Sequence, residues 1–98
     1  MSYYVYMLKS VGKKTVTYVG YTSNLINRVL LHNSGKGAKF TRGRKWKLIY
    51  KEKIHSKSKA ISREYYIKKN RRLRTKIKNN YIRNVFELGN LYFSEMFK

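Results

Sequence analysis

Apolar and polar positions along the chain change period several times, and each change marks an element. Tyr3-Tyr4-Val5-Tyr6-Met7-Leu8 is a run of aromatic and branched side chains that predicts a strand. Val11-Gly12-Lys13-Lys14 breaks it, and Thr15 to Tyr21 predicts a second strand, so the two form a β-hairpin. Period-two alternation puts Tyr4, Tyr6 and Leu8 on one face of the first strand, and Val16, Tyr18 and Gly20 on one face of the second. The period then becomes helical. Thr22, Ser23 and Asn24 are all N-cap types, and Leu25, Ile26, Val29 and Leu30 recur at helical spacing after them. His32-Asn33-Ser34-Gly35 ends this helix, with Asn33 or Gly35 suited to a left-handed terminal residue.

Residues 34–45 predict a loop rich in Gly, Lys and Arg. Trp46 to Ile54 predicts a third strand, with Trp46, Leu48 and Tyr50 alternating against Lys47, Ile49 and Lys51. A second helix is expected from about Lys57 to Lys69, capped by Ser56 or Ser58. Beyond Asn70, Arg71 to Lys78 predicts a basic amphipathic helix. The tail from Tyr81 to Lys98, with Tyr81, Ile82, Val85, Phe86, Leu88, Leu91, Tyr92 and Phe93, is expected to be helical and packed on the domain or on a partner. The plan is ββαβα plus a helical extension. It describes an α+β domain over residues 1–70, with residues 71–98 as an extension packed on it.

Charge changes the picture most. Twenty-four Lys and Arg face four Glu and no Asp, for a formal net charge of +20 on 98 residues. Self-repulsion at that density disfavours a compact state unless a polyanion neutralises it. Nucleic acid is the polyanion that fits, because cations on its phosphates release condensed counterions. A membrane surface would attract the same charge, but the chain has no long apolar run and no lipidation motif, so no membrane partner is expected. Met1 to Leu8 lacks the basic-then-apolar order of a signal peptide. The absence of Cys excludes disulfides and thiolate metal sites, and is compatible with the cytoplasm, near the nucleoid if the source is bacterial.

A few residues carry candidate chemistry. Glu64 falls with Ala60, Ile61 and Ile67 on one helical face. A carboxylate there needs either an ion-pair partner among the many Lys and Arg, or a hard metal ion of the kind that serves phosphate chemistry. Arg28 and His32 are neighbours four apart on the first helix. An Arg forks onto phosphate and a His moves protons, although a basic residue beside a helix-terminal His is also an ordinary solvated arrangement. Tyr6 and Tyr18 lie on adjacent strands; among ten tyrosines the pair has little specificity alone. Between Gly35 and Arg44, glycines alternate with Lys36, Lys39, Arg42 and Arg44, and Phe40 could stack on a base. A P-loop is excluded, since the spaced Gly-Lys-Ser/Thr signature is missing.

Taken together, these residues resemble the GIY-YIG nuclease superfamily. Tyr4-Val5-Tyr6 stands at the first motif and Tyr18-Val19-Gly20 at the second. Arg28 follows Gly20 by eight residues, His32 comes four later, and Ala60 to Lys69 looks like the helix bearing the metal-binding Glu. The stretch from His32 to Arg42 is similar to the small stand-alone bacterial branch called UvrC-like or YhbQ-like. Tyr4 replaces the Gly of the family's name, and Tyr21 replaces a Lys that excision-repair relatives carry. Tyr6 and Tyr18 are twelve apart, somewhat more than is usual, and the extra length is expected in the hairpin turn.

The resemblance implies a three-stranded antiparallel sheet flanked by helices. It implies a DNA endonuclease with a Mg²⁺ or Mn²⁺ cofactor and no small-molecule cofactor, acting in repair or on damaged or branched DNA. Glu64 would hold the metal, Tyr6 or Tyr18 would orient or deprotonate water, and Arg28 would bind phosphate. His32 would relay a proton or bind phosphate, while Lys68 and Lys69 join the loop cations as DNA contacts. The alternative is a basic DNA-binding module that keeps the fold without catalysis.

Overall fold

The computed structural model describes the backbone of residues 1–96 and the side chains of residues 1–85. Three strands, β1 (Tyr3–Ser10), β2 (Thr17–Thr22) and β3 (Trp46–Ile54), form one antiparallel sheet in the order β2-β1-β3. Helix α1 (Leu25–Asn33) follows the hairpin, and α2 (Lys57–Lys69) and α3 (Arg71–Met96) follow β3. This is the α+β arrangement expected from the sequence.

β1 lies in the middle and is covered on both faces, which is why Val5, Tyr6, Met7 and Leu8 are all buried without interruption. Val5 and Met7 join Val19, Ala60 and Ile67 in one cluster, so α2 packs on that face. Tyr6 and Leu8 join Trp46 in the second cluster, against which Tyr18, Leu48, Leu25 and Val29 pack, so α1 takes the opposite face. Each such apolar side chain removed from water contributes about 1.5–3 kcal/mol. Leu73 and Ile77 bring the start of α3 onto the α2 side.

The hairpin register pairs Tyr6 with Gly20 and Leu8 with Tyr18, so the expected faces coincide. Asn24 is the N-cap of α1, its Oδ1 accepting from the Asn27 N–H at 3.1 Å, and Ser56 caps α2. Gly35, with φ of +79°, takes the left-handed position after α1.

Three expectations need correction. Leu25 and Val29 face the core, but Ile26 and Leu30 are 78% and 63% exposed. The inward stripe of α1 is narrow, because Arg28 and His32 occupy the rest of it. On α2, the buried seam is Ala60 and Ile67; Ile61 lies outside it and is exposed, and Glu64 sits at its margin.

Third, Tyr50 does not share a face with Trp46 and Leu48. Met7 pairs with Tyr50 but Leu8 pairs with Leu48, so Ile49 is an extra, bulged residue. Everything after the bulge changes sides: Ile49, Tyr50 and Ile54 pack in the α2-side cluster. Glu52 is thereby aligned with Val5, on the face that meets Arg63 of α2, whose Nε donates to Glu52 Oε1 at 2.6 Å. The Tyr50 hydroxyl also donates to Glu52. Beyond Lys78 the backbone continues as one helix through Met96. The side chains of Phe86, Leu88, Leu91, Tyr92 and Phe93 lie outside the described residues.

Candidate active site

The site forms where β1, β2, α1 and the following loop converge. Tyr6 points from the central strand and is 1% exposed; His32, from the last turn of α1, is fully buried. The Tyr6 hydroxyl and His32 Nε2 are 2.7 Å apart, and His32 Nδ1 is 2.8 Å from Thr41 Oγ1. The single hydroxyl proton of Thr41 is directed to the Ala38 carbonyl at 2.7 Å. Thr41 must therefore accept from His32, which puts the imidazole proton on Nδ1 and leaves Nε2 to accept from the Tyr6 O–H. The hydrogen bonds thus fix one tautomer.

Two glycines allow this contact. A Cβ on Gly20 would fall 2.6 Å from the Tyr6 hydroxyl oxygen, and one on Gly37 would fall 2.5 Å from His32 Nδ1. Both positions are closed to any side chain unless the Tyr–His pair moves. The loop carrying Gly37 is itself pinned. Asn33 Oδ1 accepts from the Trp46 N–H and its Nδ2 donates to the Trp46 carbonyl, while Trp46 Nε1 donates to the Thr41 carbonyl at 2.8 Å.

Charge tunes the pair. Burial pushes the Tyr6 phenol up to about 12, with Arg28 opposing and Tyr18 and Glu64 reinforcing the rise. Burial, helped by the positive charge of Arg28, lowers His32 below its ordinary value and keeps it neutral. Arg28, half-buried on α1 and one turn before His32, is the cation whose charge acts on both groups. Because folded His32 resists protonation while the unfolded chain binds a proton near pH 6.5, its contribution to stability is complete above that pH and declines below it. The melting temperature should accordingly fall between pH 7.5 and 5.5. Thermal melts across that range check this, and His32→Gln should lose most of the slope.

Tyr18 packs against the pair, its ring centroid 5.0 Å from that of His32 and 6.4 Å from that of Tyr6. Phe40, on a short 3-10 turn (Lys39–Thr41), stacks on Tyr18 at 6.2 Å and 23° and stays 55% exposed. Glu64 comes from α2. Its carboxylate side chain is 16% exposed, and its Oε1 is 2.8 Å from the Lys68 ammonium, which is 48% exposed and lies 5.9 Å from the Tyr18 ring centroid. Tyr6, Tyr18 and His32 are thus in direct contact, the charges of Arg28 and Glu64 act on Tyr6, and Lys68 links Glu64 to the Tyr18 ring.

Lys36, Lys39, Arg42 and Arg44 are exposed along the loop, with no ion-pair partner among the described residues. Lys69 stands apart, its ammonium 4.4 Å from the Tyr65 ring centroid. Thr41, Gly37 and the pairing of Lys68 with Glu64 were not expected. The last had a signal, since Glu and Lys four apart on a helix meet; Thr41 had none, being one hydroxyl in a polar loop.

A family model described as the GIY-YIG catalytic domain matches residues 2–81, which spans the whole cluster. The chain belongs to the GIY-YIG family. That places it in a family of nucleases, and the match takes in the first turns of α3. Among curated relatives, a UPF0213 protein of Clostridium perfringens is 54% identical over 67% of this chain and 70% of its own length. One of Bacillus licheniformis is 44% identical over 83% and 79%. The solution NMR structure of a UPF0213 protein from Bacillus halodurans is 38% identical, covering 81% of this chain and 84% of that one, with a TM-score of 0.49.

The donor set of this GIY-YIG domain decides which metal it suits. Among the described residues no three His, Cys, Asp or Glu come together, so a fully protein-caged ion has no ligands here. A Mg²⁺-type ion asks for one or two carboxylates and keeps water and substrate phosphate for the rest. A single marginal carboxylate, held by one side chain that is half in solvent, fits that demand. Among the described residues no helix is long and apolar enough to cross a membrane.

Proposed function

We propose that this GIY-YIG domain is a divalent-metal-dependent endonuclease that hydrolyses DNA phosphodiester bonds. The observation that carries the proposal is the hydrogen-bonded chain from Tyr6 through neutral His32 to Thr41, flanked by Arg28 and Glu64. A phenol raised to about 12 is a poor base alone. It becomes useful when a second base takes its proton as it receives another. The attacking water gives a proton to the Tyr6 oxygen while the Tyr6 proton passes to His32 Nε2, so free tyrosinate never accumulates. Water oxygen bonds to phosphorus, the bond to the leaving oxygen breaks, and solvent protonates that oxygen.

Arg28 binds the phosphate and the charge that grows on it. Tyr18, more accessible than Tyr6, orients the water. Glu64 would hold Mg²⁺ or Mn²⁺, which supplies Lewis-acid polarisation of the scissile phosphate when bound. Lys68, whose ammonium lies 5.9 Å from the Tyr18 ring centroid, would supply the phosphate contact that the uncharged Tyr21 cannot, and Lys36, Lys39, Arg42 and Arg44 would hold the DNA backbone. Residues 1–70 carry the chemistry, with residues 71–98 an extension on them. Damaged or branched DNA is the substrate class we favour, to be compared with plain duplex.

Supercoiled plasmid tests the proposal. Nicked circles are expected with Mg²⁺ or Mn²⁺ and none with EDTA. Tyr6→Phe should slow nicking by about 10²–10⁴-fold, the range for impaired proton transfer. Plasmid retarded on a gel but never nicked with either metal would make the domain a DNA binder.

A further inference from the structure

Outside the Tyr6–His32–Glu64 cluster, two clefts share walls. One is lined by Tyr18, Phe40, Lys68, Thr17 and Arg74 and opens at the site. The other is lined by Thr15, Thr17, Arg71, Arg74, Thr75 and Lys78. With Thr17 and Arg74 common to both, they form one groove along β2, an edge strand, with the first turns of α3 as its far wall. No acid lines it.

We propose that this groove carries the DNA strand running away from the scissile phosphate, with Arg71, Arg74 and Lys78 on its phosphates. The inference rests on the nuclease reading above and extends it to α3. Arg71, Arg74 and Lys78 recur at i, i+3 and i+7, so they share one side of the helix, turned from the partly buried Leu73 and Ile77. They span about 10 Å of helix, close to the rise of three nucleotides of one strand at about 3.4 Å each. Arg74 Nη1 donates to the Ile67 carbonyl at 3.1 Å and to that of Lys68, which fixes its guanidinium at the end of α2 and leaves its other N–H donors for phosphate.

Thr15, Thr17 and Thr75 add hydroxyl donors that suit phosphate oxygens. At the site end, Phe40 offers an exposed ring already stacked on Tyr18, a platform for the base beside the cut. An acidic peptide would satisfy the cations but would leave that aromatic platform and the continuity with the site unexplained.

The test uses the full chain and a labelled mixed-sequence duplex in EDTA, so that binding is read without cleavage. Arg71→Gln/Lys78→Gln should lower the slope of log affinity against log salt by about 1.8, at about 0.9 for each phosphate no longer neutralised. The charge-keeping swap Arg71→Lys/Lys78→Arg should retain the wild-type slope. Because the chain has no Cys, Thr75→Cys can carry a single photo-crosslinker. It should mark nucleotides on one side only of the cut seen with metal. An unchanged slope in the Gln variant, an equal loss in the charge-keeping swap, or crosslinks on both sides would overturn the groove while leaving the nuclease in place. A wild type that fails to bind or nick DNA would remove the nuclease reading, and the groove with it.

Discussion

Glu64→Gln should reduce metal-dependent cleavage of DNA by about 10³-fold or more while leaving the fold close to intact. The loss follows from removing the charge a divalent ion requires, and with it the several kcal/mol such an ion contributes to the developing phosphate charge; each 1.36 kcal/mol is a factor of ten. The fold survives because the carboxylate's partner is Lys68, half in solvent and four residues away on the same helix. Such pairs contribute only about 0.3–0.5 kcal/mol, equivalent to a few degrees of melting temperature in a domain of this size. DNA binding without metal should stay level or tighten, since an anion beside the phosphate is gone. Nicking, melting and metal-free binding are measured together. A large fall in melting temperature with nicking intact would make Glu64 a structural ion-pair residue and return the domain to the binder alternative.

Arg28→Ala should also suppress cleavage, by about 10²–10³-fold, the loss seen when one charge-stabilising donor is removed. Calorimetric titration should find metal affinity near wild type, because Glu64 is untouched. A second effect separates this variant from Glu64→Gln. Burial is the main reason His32 resists protonation, and the positive charge of Arg28 adds to it. With that repulsion lifted, His32 accepts a proton at higher pH, so the acid limb of the residual rate should move upward in pH. An acid limb that stays in place would remove His32 from the proton path and leave it as a buried support for Tyr6.

The sheet is legible in the sequence because its signals are local. The aromatic and branched run from Tyr3 to Leu8 and the Gly-bearing break after it mark the hairpin, whereas the central place of β1 rests on its pairing with β3, which no local pattern announces. Arg28, His32 and Glu64 stand out because helical spacing puts residue types of matching chemistry side by side. Other features depend on partners far along the chain. Nothing near Ile26 or Leu30 says that Arg28 and His32 will take the inward stripe of α1. The role of Thr41 as acceptor for His32 depends on a loop folding back until its own proton is taken by Ala38. Ile61 fits the helical pattern yet is exposed, because only Ala60 and Ile67 fill the seam, and Glu64 lies at its margin with its side chain 16% exposed.

The bulge at Ile49 has an electrostatic consequence. Side chains of a strand alternate between two faces, so one extra residue reverses the assignment of every charge beyond it. Past the bulge, Glu52 aligns with Val5 and is turned to Arg63, while Lys51 aligns with Tyr6 and Lys53 with Tyr4. Strict alternation from Trp46 would have sent Glu52 to the Tyr6 side, setting a carboxylate on the face where we propose that a phosphate approaches. Parity in β3 thus decides whether Lys51 and Lys53 or Glu52 share the face of Tyr6.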